Sequence, residues 1–294
     1  MNTLSLKADR EMLEKIDQHF REWKKENPNP YISAFYQGDD VTISVYTSGK
    51  VVFQGKNAHV YGAAFLNKKI HDEAGSDEVG TGDYFGPVCV CACILRAEDQ
   101  AFLERFAIDD SKQLSDEEIR RTAPELMKVL PYSLLILKPA QYNQVYPRNN
   151  MVAIKAKMHN QAYVNLKHKG YAIPKAAYVD QFVAEDTYYR YLAAEKEVYH
   201  DLIFETKAES AHPAVACASM IARYAFLREM DALSEKVGFP LHKGAGDQVD
   251  LDGLRFAETY GLQRLPEVAK MHFRNTQKIR ELLEEAREQD IEER

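Results

Sequence analysis

The sequence predicts an α/β protein, a mixed sheet flanked by helices, preceded by a small α+β unit. Three observations carry this. Pro87 to Arg96 is a near-continuous apolar strand, as in a sheet buried on both faces. After it, strand-length apolar segments at Val129 to Leu137, Ile173 to Val179 and Leu202 to Thr206 alternate with helical patterns. Before it, residues 1–70 follow the order helix, three strands, helix.

At 294 residues with 45% hydrophobic side chains, the chain can bury the cores of a small and a larger domain. Its longest apolar run, Gly86 to Leu95, is too short to span a bilayer, and its N-terminus is charged where a signal peptide is apolar. A soluble, cytoplasmic protein with no membrane contact is expected. Cys89, Cys91 and Cys93 alternate along one strand and so share a face, where they cannot pair with each other. Their spacing is not that of a zinc site, so they read as small core residues. The net charge of −7 argues against holding nucleic acid by bulk charge. That charge is uneven, because residues 1–70 carry 10 Lys and Arg against 8 Asp and Glu.

In chain order, Leu13, Ile16, Phe20 and Trp23 recur at helical spacing within Lys7 to Asn27, and Asn27-Pro28-Asn29-Pro30 ends that helix. Tyr31 to Tyr36, Val41 to Tyr46 and Val51 to Gln54 form an antiparallel meander, followed by a helix over Ala58 to Ile70. In the first strand both alternating sets mix apolar and polar groups, so the pattern does not choose the exposed face. Either face offers aromatic and hydroxyl groups suited to a sugar-phosphate backbone. Asp72-Glu73-Ala74-Gly75 reads as a linker between domains 1–71 and 72–294.

The densest chemistry lies in Ser76-Asp77-Glu78-Val79-Gly80-Thr81-Gly82-Asp83-Tyr84-Phe85-Gly86-Pro87. Asp77 and Glu78 offer oxygen ligands to a hard cation such as Mg²⁺. Gly80 and Gly82 lack Cβ, so their N–H groups can approach a phosphate. Taken separately, each half is an ordinary turn. The whole dodecamer closely resembles the active-site signature of the type 2 ribonucleases H. Gly80-Thr81-Gly82 resembles the version in its ribonuclease HIII branch, where the ribonuclease HII branch typically has Gly-Arg-Gly.

That resemblance implies a ribonuclease H-like sheet. With the element order and Tyr46 to Gly55, it also implies a substrate-binding N-terminal domain similar to one repeat of the TATA-binding protein. Other segments match in turn. Ser115 is placed to cap a helix through Glu118, an ordinary surface turn by itself. Asp110 to Leu114 matches the family pattern Asp-Ser-Lys-x-Leu, which makes Ser111 and Lys112 candidate phosphate contacts. The helix over Asn149 to Lys169 carries Lys155, Lys157, His159 and Asn160, and a charged helix face is usually just solvated. His159-Asn160-Gln161-Ala162 nonetheless resembles a family segment, implying that His159 and Asn160 bind substrate.

Asp180 closes a strand at the edge where α/β sheets place ligands. Glu209 precedes an alanine-rich helix over Pro213 to Leu233 and alone would be a helix-start signal. The family has Lys-Ala-Asp at this point, before a helix rich in small residues. Ala218 to Arg223 matches that helix pattern, so Glu209 takes the fourth acidic position. Leu241 to Asp247 is a second glycine turn, similar to a family segment lining the substrate groove. Thr276 to Arg294 is a charged helix without evident chemistry.

By resemblance, Asp77, Glu78, Asp180 and Glu209 are the catalytic and metal-binding residues, holding two Mg²⁺ ions or Mn²⁺ in their place. Asp77 would bridge the ions, and Gly80, Thr81 and Gly82 would contact the substrate backbone at the 2′-hydroxyl. The expected enzyme is a monomer that hydrolyses the RNA strand of an RNA/DNA hybrid duplex, leaving 5′-phosphate and 3′-hydroxyl ends. A non-catalytic hybrid-binding protein would not need four acids. A nucleotide-binding protein should carry a Walker-type lysine or a Rossmann acid, and neither is evident.

Overall fold

A computed structural model describes residues 2–63, 65, 70–106 and 114–292. The N-terminal part contains β1 (Asn2–Lys7), α1 (Arg10–His19), β2 (Lys24–Lys25), β3 (Ile32–Gln37), β4 (Val41–Tyr46), β5 (Lys50–Gly55) and α2 (Ala58–Ala63). Its antiparallel sheet runs β1-β5-β4-β3-β2, so the expected three-stranded meander is the centre of five strands. Asn2 to Lys7 pairs along β5 and was not anticipated, because a half-exposed edge strand has only a weak apolar pattern. Helix α1 is correspondingly shorter than the expected span. The Asp9 carboxylate starts it by accepting the Met12 N–H at 2.9 Å. Met12, Ile16 and Phe20 then pack against Ile43, Val51 and Phe53 of the sheet.

The rest comprises β6 (Glu73–Val79), β7 (Val88–Leu95), α3 (Gln100–Leu103), α4 (Asp116–Val129), β8 (Tyr132–Leu137), α5 (Pro139–Val145) and α6 (Met151–His168). There follow β9 (Ala177–Asp180), α7 (Glu185–Tyr191), β10 (Ile203–Glu205), α8 (Ala208–Ala211), α9 (Pro213–Val237), α10 (Asp247–Tyr260) and α11 (Asn275–Glu292). The second sheet is mixed and ordered β10-β9-β6-β7-β8. Strands β6, β7 and β8 pair antiparallel, whereas β9 and β10 add to β6 in parallel.

Every residue of β7 is buried. Cys89, Cys91, Cys93 and Leu95 join the core under α4 and α9, while Val88, Val90, Ala92 and Ile94 join the core under α6. Cys89, Cys91 and Cys93 are therefore packing residues, and none of them is in a disulfide. Helix α4 starts where expected: Ser115 and Glu118 form a reciprocal capping box. Val129 belongs to that helix, not to β8.

The segment read as a linker is instead the start of the central strand. Glu73 is buried and its carboxylate accepts the Ala214 N–H at 2.7 Å, capping α9. Gly75 lacks a side chain where α9 lies directly upon it, while Ala74 and Ser76 face the α6 side of the sheet. A Cβ on Gly75 would stand 2.3 Å from the Val215 nitrogen. Loop-like composition here reflects close packing.

Candidate active site

Pairing of Ser76 with Val179 aligns β6 and β9, so Asp77 and Asp180 come next at the same edge of neighbouring parallel strands. Asp180 pairs in turn with Glu205 of β10. Beyond β10 the chain turns through Lys207, at φ +58°, and the Ala208 N–H donates to Asp180 Oδ1 at 3.0 Å. This turn leaves buried Glu209 one residue beyond the amide that bonds Asp180. The ends of β6 and β9 thus carry Asp77, Glu78 and Asp180, and the turn after β10 leads into Glu209 on α8.

Asp77 is buried, accepting the Glu78 N–H at 2.8 Å and a hydrogen bond from the Ser219 hydroxyl on α9. Burial, then the charge of Glu78, pushes its carboxyl up to about 7 against those hydrogen bonds. Glu78 goes the other way. Burial alone would raise it, but His159 and Lys155 together hold it below the usual carboxylate range. His159 Nε2 lies 2.9 Å from Glu78 Oε2, and Lys155 Nζ contacts Oε1. His159 Nδ1 lies 2.7 Å from Ser76 Oγ, completing a Ser76–His159–Glu78 chain. An imidazole with Nε2–H directed at the carboxylate has Nδ1 free to accept the Ser76 hydroxyl.

His159 and Asn160, expected as substrate contacts, face inward at 0% and 2% exposure. His159 is turned on Glu78. The Asn160 amide donates to the Glu197 carbonyl at 2.9 Å and accepts the Tyr199 N–H at 2.9 Å. Both ends of that side chain pin the 197–199 loop, which corrects the expected direct contact.

Gly80 has φ +95°, and a Cβ there would stand 2.1 Å from the Pro87 carbonyl oxygen. Gly82 is exposed with nothing within 4 Å of its Cβ position, and Thr81 is half-buried between them. The turn is tied to the second glycine turn, since Gly244 N–H donates to Asp83 Oδ1 at 2.6 Å and Tyr84 N–H to the Gly244 carbonyl at 2.8 Å. Lys270 is fully buried behind it, donating to the Gly86 carbonyl at 2.6 Å and the Phe85 carbonyl at 3.3 Å. Burial brings the Lys270 amine down to about 7. Asp116 at the start of α4 holds Arg223 at 2.7 Å and contacts Lys243. Ser111 and Lys112 lie outside the described residues.

Sequence reasoning missed Ser76, Ser219, Asp83, Lys270 and the particular role of Lys155. Lys270 had a visible signal, a lone lysine in the apolar stretch 268–271. Ser219 stood only as one small residue among several.

Carboxylate oxygens in a buried, mutually repelling set fit a hard divalent cation such as Mg²⁺ or Mn²⁺. Among the described residues, no three His, Cys, Asp or Glu are drawn together into a ready cage. Lys155 and His159 hold both oxygens of Glu78.

An antiparallel hairpin extended by parallel strands, with acids at the ends of its central strands, defines a ribonuclease H-type hydrolase. Residues 74–276 match the sequence profile of the family Ribonuclease HII, and residues 3–78 match a domain of unknown function, DUF3378. A curated ribonuclease HIII of Bacillus cereus is 42% identical, the match covering 82% of this chain and 86% of that one. The structure of Bst-RNase HIII in complex with Mn²⁺ superposes with TM-score 0.71 at 36% identity, covering 96% of this chain and 99% of that one. Aquifex aeolicus RNase H3 does so with TM-score 0.54 at 25% identity, covering 92% and 99%. The chain belongs to the ribonuclease HII family, in its ribonuclease HIII branch. Among the described residues, no helix is long and apolar enough to cross a membrane.

Proposed function

We propose that this ribonuclease H is an endonuclease that hydrolyses the RNA strand of RNA/DNA hybrids, leaving 5′-phosphate and 3′-hydroxyl ends. The observation that supports this is the register that puts Asp77 and Asp180 at the same edge of neighbouring parallel strands, with the Ala208 N–H, beside Glu209, bonded to Asp180. Asp77, Glu78, Asp180 and Glu209 would hold two divalent ions. When bound, such ions would supply an activated water and stabilisation of the leaving 3′ oxygen. Mg²⁺ is the proposed physiological ion, with Mn²⁺ as substitute.

The chain's own residues prepare that chemistry. Ser219 and the Glu78 N–H orient the Asp77 carboxylate. His159, backed by Ser76, orients Glu78. The exposed backbone at Gly82, beside half-buried Thr81 and Gly80 with its positive φ, would meet the 2′-hydroxyl that separates RNA from DNA. Ser111 and Lys112 would contact phosphates. An N-terminal domain over residues 1–71 would grip the duplex, which would let an acidic chain hold it, as a cytoplasmic monomer.

The test uses end-labelled duplexes with Mg²⁺: an all-RNA strand on DNA, a DNA strand with one ribonucleotide, and all-DNA, with Asp77→Asn in parallel. Cutting of the first alone, lost in the variant, with products that ligate only through a 5′-phosphate, is expected. Efficient cutting at the lone ribonucleotide would reassign the specificity. Tight hybrid binding without cutting would sink the mechanism.

A further inference from the structure

Lys155 differs from the other lysines of α6 in where its charge goes. Lys157 meets Glu195 and Lys167 meets Glu197 nearer the surface. Lys155 turns inward onto Glu78 Oε1, in a pair only 13% and 12% exposed. Its ammonium also lies 3.9 Å from the centre of the Phe182 ring. With His159 on the other oxygen, Glu78 is fully engaged by groups of its own chain. Largely out of water, this pair is little screened by salt.

Resting on the metal site described under Proposed function, we propose that Lys155 is a built-in counter-cation. It neutralises Glu78 until a divalent ion arrives, gives up that contact on loading, and thereby sets how tightly the ion is held. Without a cation, Glu78 and Asp180 both repel the charge of Asp77, and a fixed ammonium on Glu78 offsets part of that repulsion. An ammonium that stays nearby opposes an incoming cation by the same Coulomb law. Phe182 makes the exchange feasible, because its ring face retains the ammonium after Glu78 has turned away. Lysine suits the task, being a point charge on a flexible stem, whereas an arginine fork would clamp the carboxylate through two bonds. Lys155 is thus a positioning residue acting through Glu78.

The test is calorimetric titration of Mn²⁺ and Mg²⁺ into the full-length wild type, Lys155→Gln and Lys155→Arg. Lys155→Gln is expected to bind the ion on the order of tenfold more tightly than wild type. Lys155→Arg should bind it no more tightly than wild type. A merely structural role predicts the reverse for Lys155→Gln, since a damaged site weakens binding. Unchanged or weaker binding by Lys155→Gln, with normal binding by wild type, overturns the counter-cation role and leaves the metal site standing. Absence of binding in all three chains overturns both. Should Lys155→Gln not fold, the wild type answers alone. Acetylation of the Lys155 amine, read by peptide mass spectrometry, should rise several-fold when Mn²⁺ is added, and an unchanged or lower yield overturns the proposal.

Discussion

Gly75 on β6 and Val215 at the start of α9 approach so closely that a Cβ on the glycine would stand 2.3 Å from the valine nitrogen. From that contact strand and helix run in the same direction. Two residues along β6 rise about 6.7 Å and four along α9 about 6 Å, so Asp77 comes level with Ser219. The hydrogen bond between those two depends on how tightly Gly75 lets the helix sit. Gly75→Ala should therefore cost about 3 kcal/mol or more by overpacking against backbone. Ser219→Ala should leave the fold nearly intact and lower only hydrolysis. Urea unfolding beside hybrid cleavage separates the two, and equal effects on stability would contradict the packing account.

Asp77 connects the site to pH. Its carboxyl stands at about 7 in the fold against 3.8 in the unfolded chain, so between those values the native state keeps a proton that the unfolded state has lost. Native stability therefore falls as pH rises through this window. At mildly alkaline pH, Asp77→Asn should be more stable than wild type in chelator, by up to about 4 kcal/mol at roughly 1.4 kcal/mol per pH unit. Adding Mg²⁺ should raise the melting temperature of wild type and not of Asp77→Asn. A less stable Asp77→Asn in chelator would show that burial does not strain this carboxylate.

How far the sequence disclosed this architecture depended on what each signal consisted of. Strand β7 and helices α4, α6 and α9 were legible because burial imposes apolar runs, periodicity and caps. The opening of β6 was not, because Ala74, Gly75 and Ser76 are the residues either of a loop or of a strand pressed by a helix. Asp77, Glu78 and Asp180 stood out as acids at strand ends. Lys155 and Lys157 are indistinguishable as letters on a charged helix. Only the fold points one at Glu78 and the other at Glu195. Asn160 was misjudged for the same reason, since a polar residue on a buried helix face can satisfy a loop as readily as a ligand.

Lys270 gives the opposite pH signature to Asp77. Its amine stands at about 7 in the fold and 10.5 in the unfolded chain, so between those values the unfolded state holds the extra proton. Native stability contributed here rises as pH climbs from 7 and is lost as pH falls back toward it. The stability difference between wild type and Lys270→Met should move in favour of wild type by roughly 1.4 kcal/mol per pH unit above 7. Urea midpoints across that range measure it. A difference independent of pH would mean that Lys270 stays charged against the Phe85 and Gly86 carbonyls.

The two glycines flanking Thr81 should respond differently to one added methyl group. At Gly80 the backbone is left-handed, and a Cβ would meet the Pro87 carbonyl oxygen at 2.1 Å. Gly80→Ala must therefore open the turn itself, costing about 1–3 kcal/mol and displacing the strand end that carries Glu78. At Gly82 no atom lies within 4 Å of the Cβ position and no positive φ forbids a side chain. Gly82→Ala should thus keep its stability within about 0.5 kcal/mol of wild type. Any loss of hybrid cleavage in Gly82→Ala then reports the space that the substrate backbone occupies, and it should appear as a raised KM with kcat little changed. Wild-type kinetics in Gly82→Ala would remove Gly82 from the substrate surface, and a large stability loss there would contradict the open space beside it.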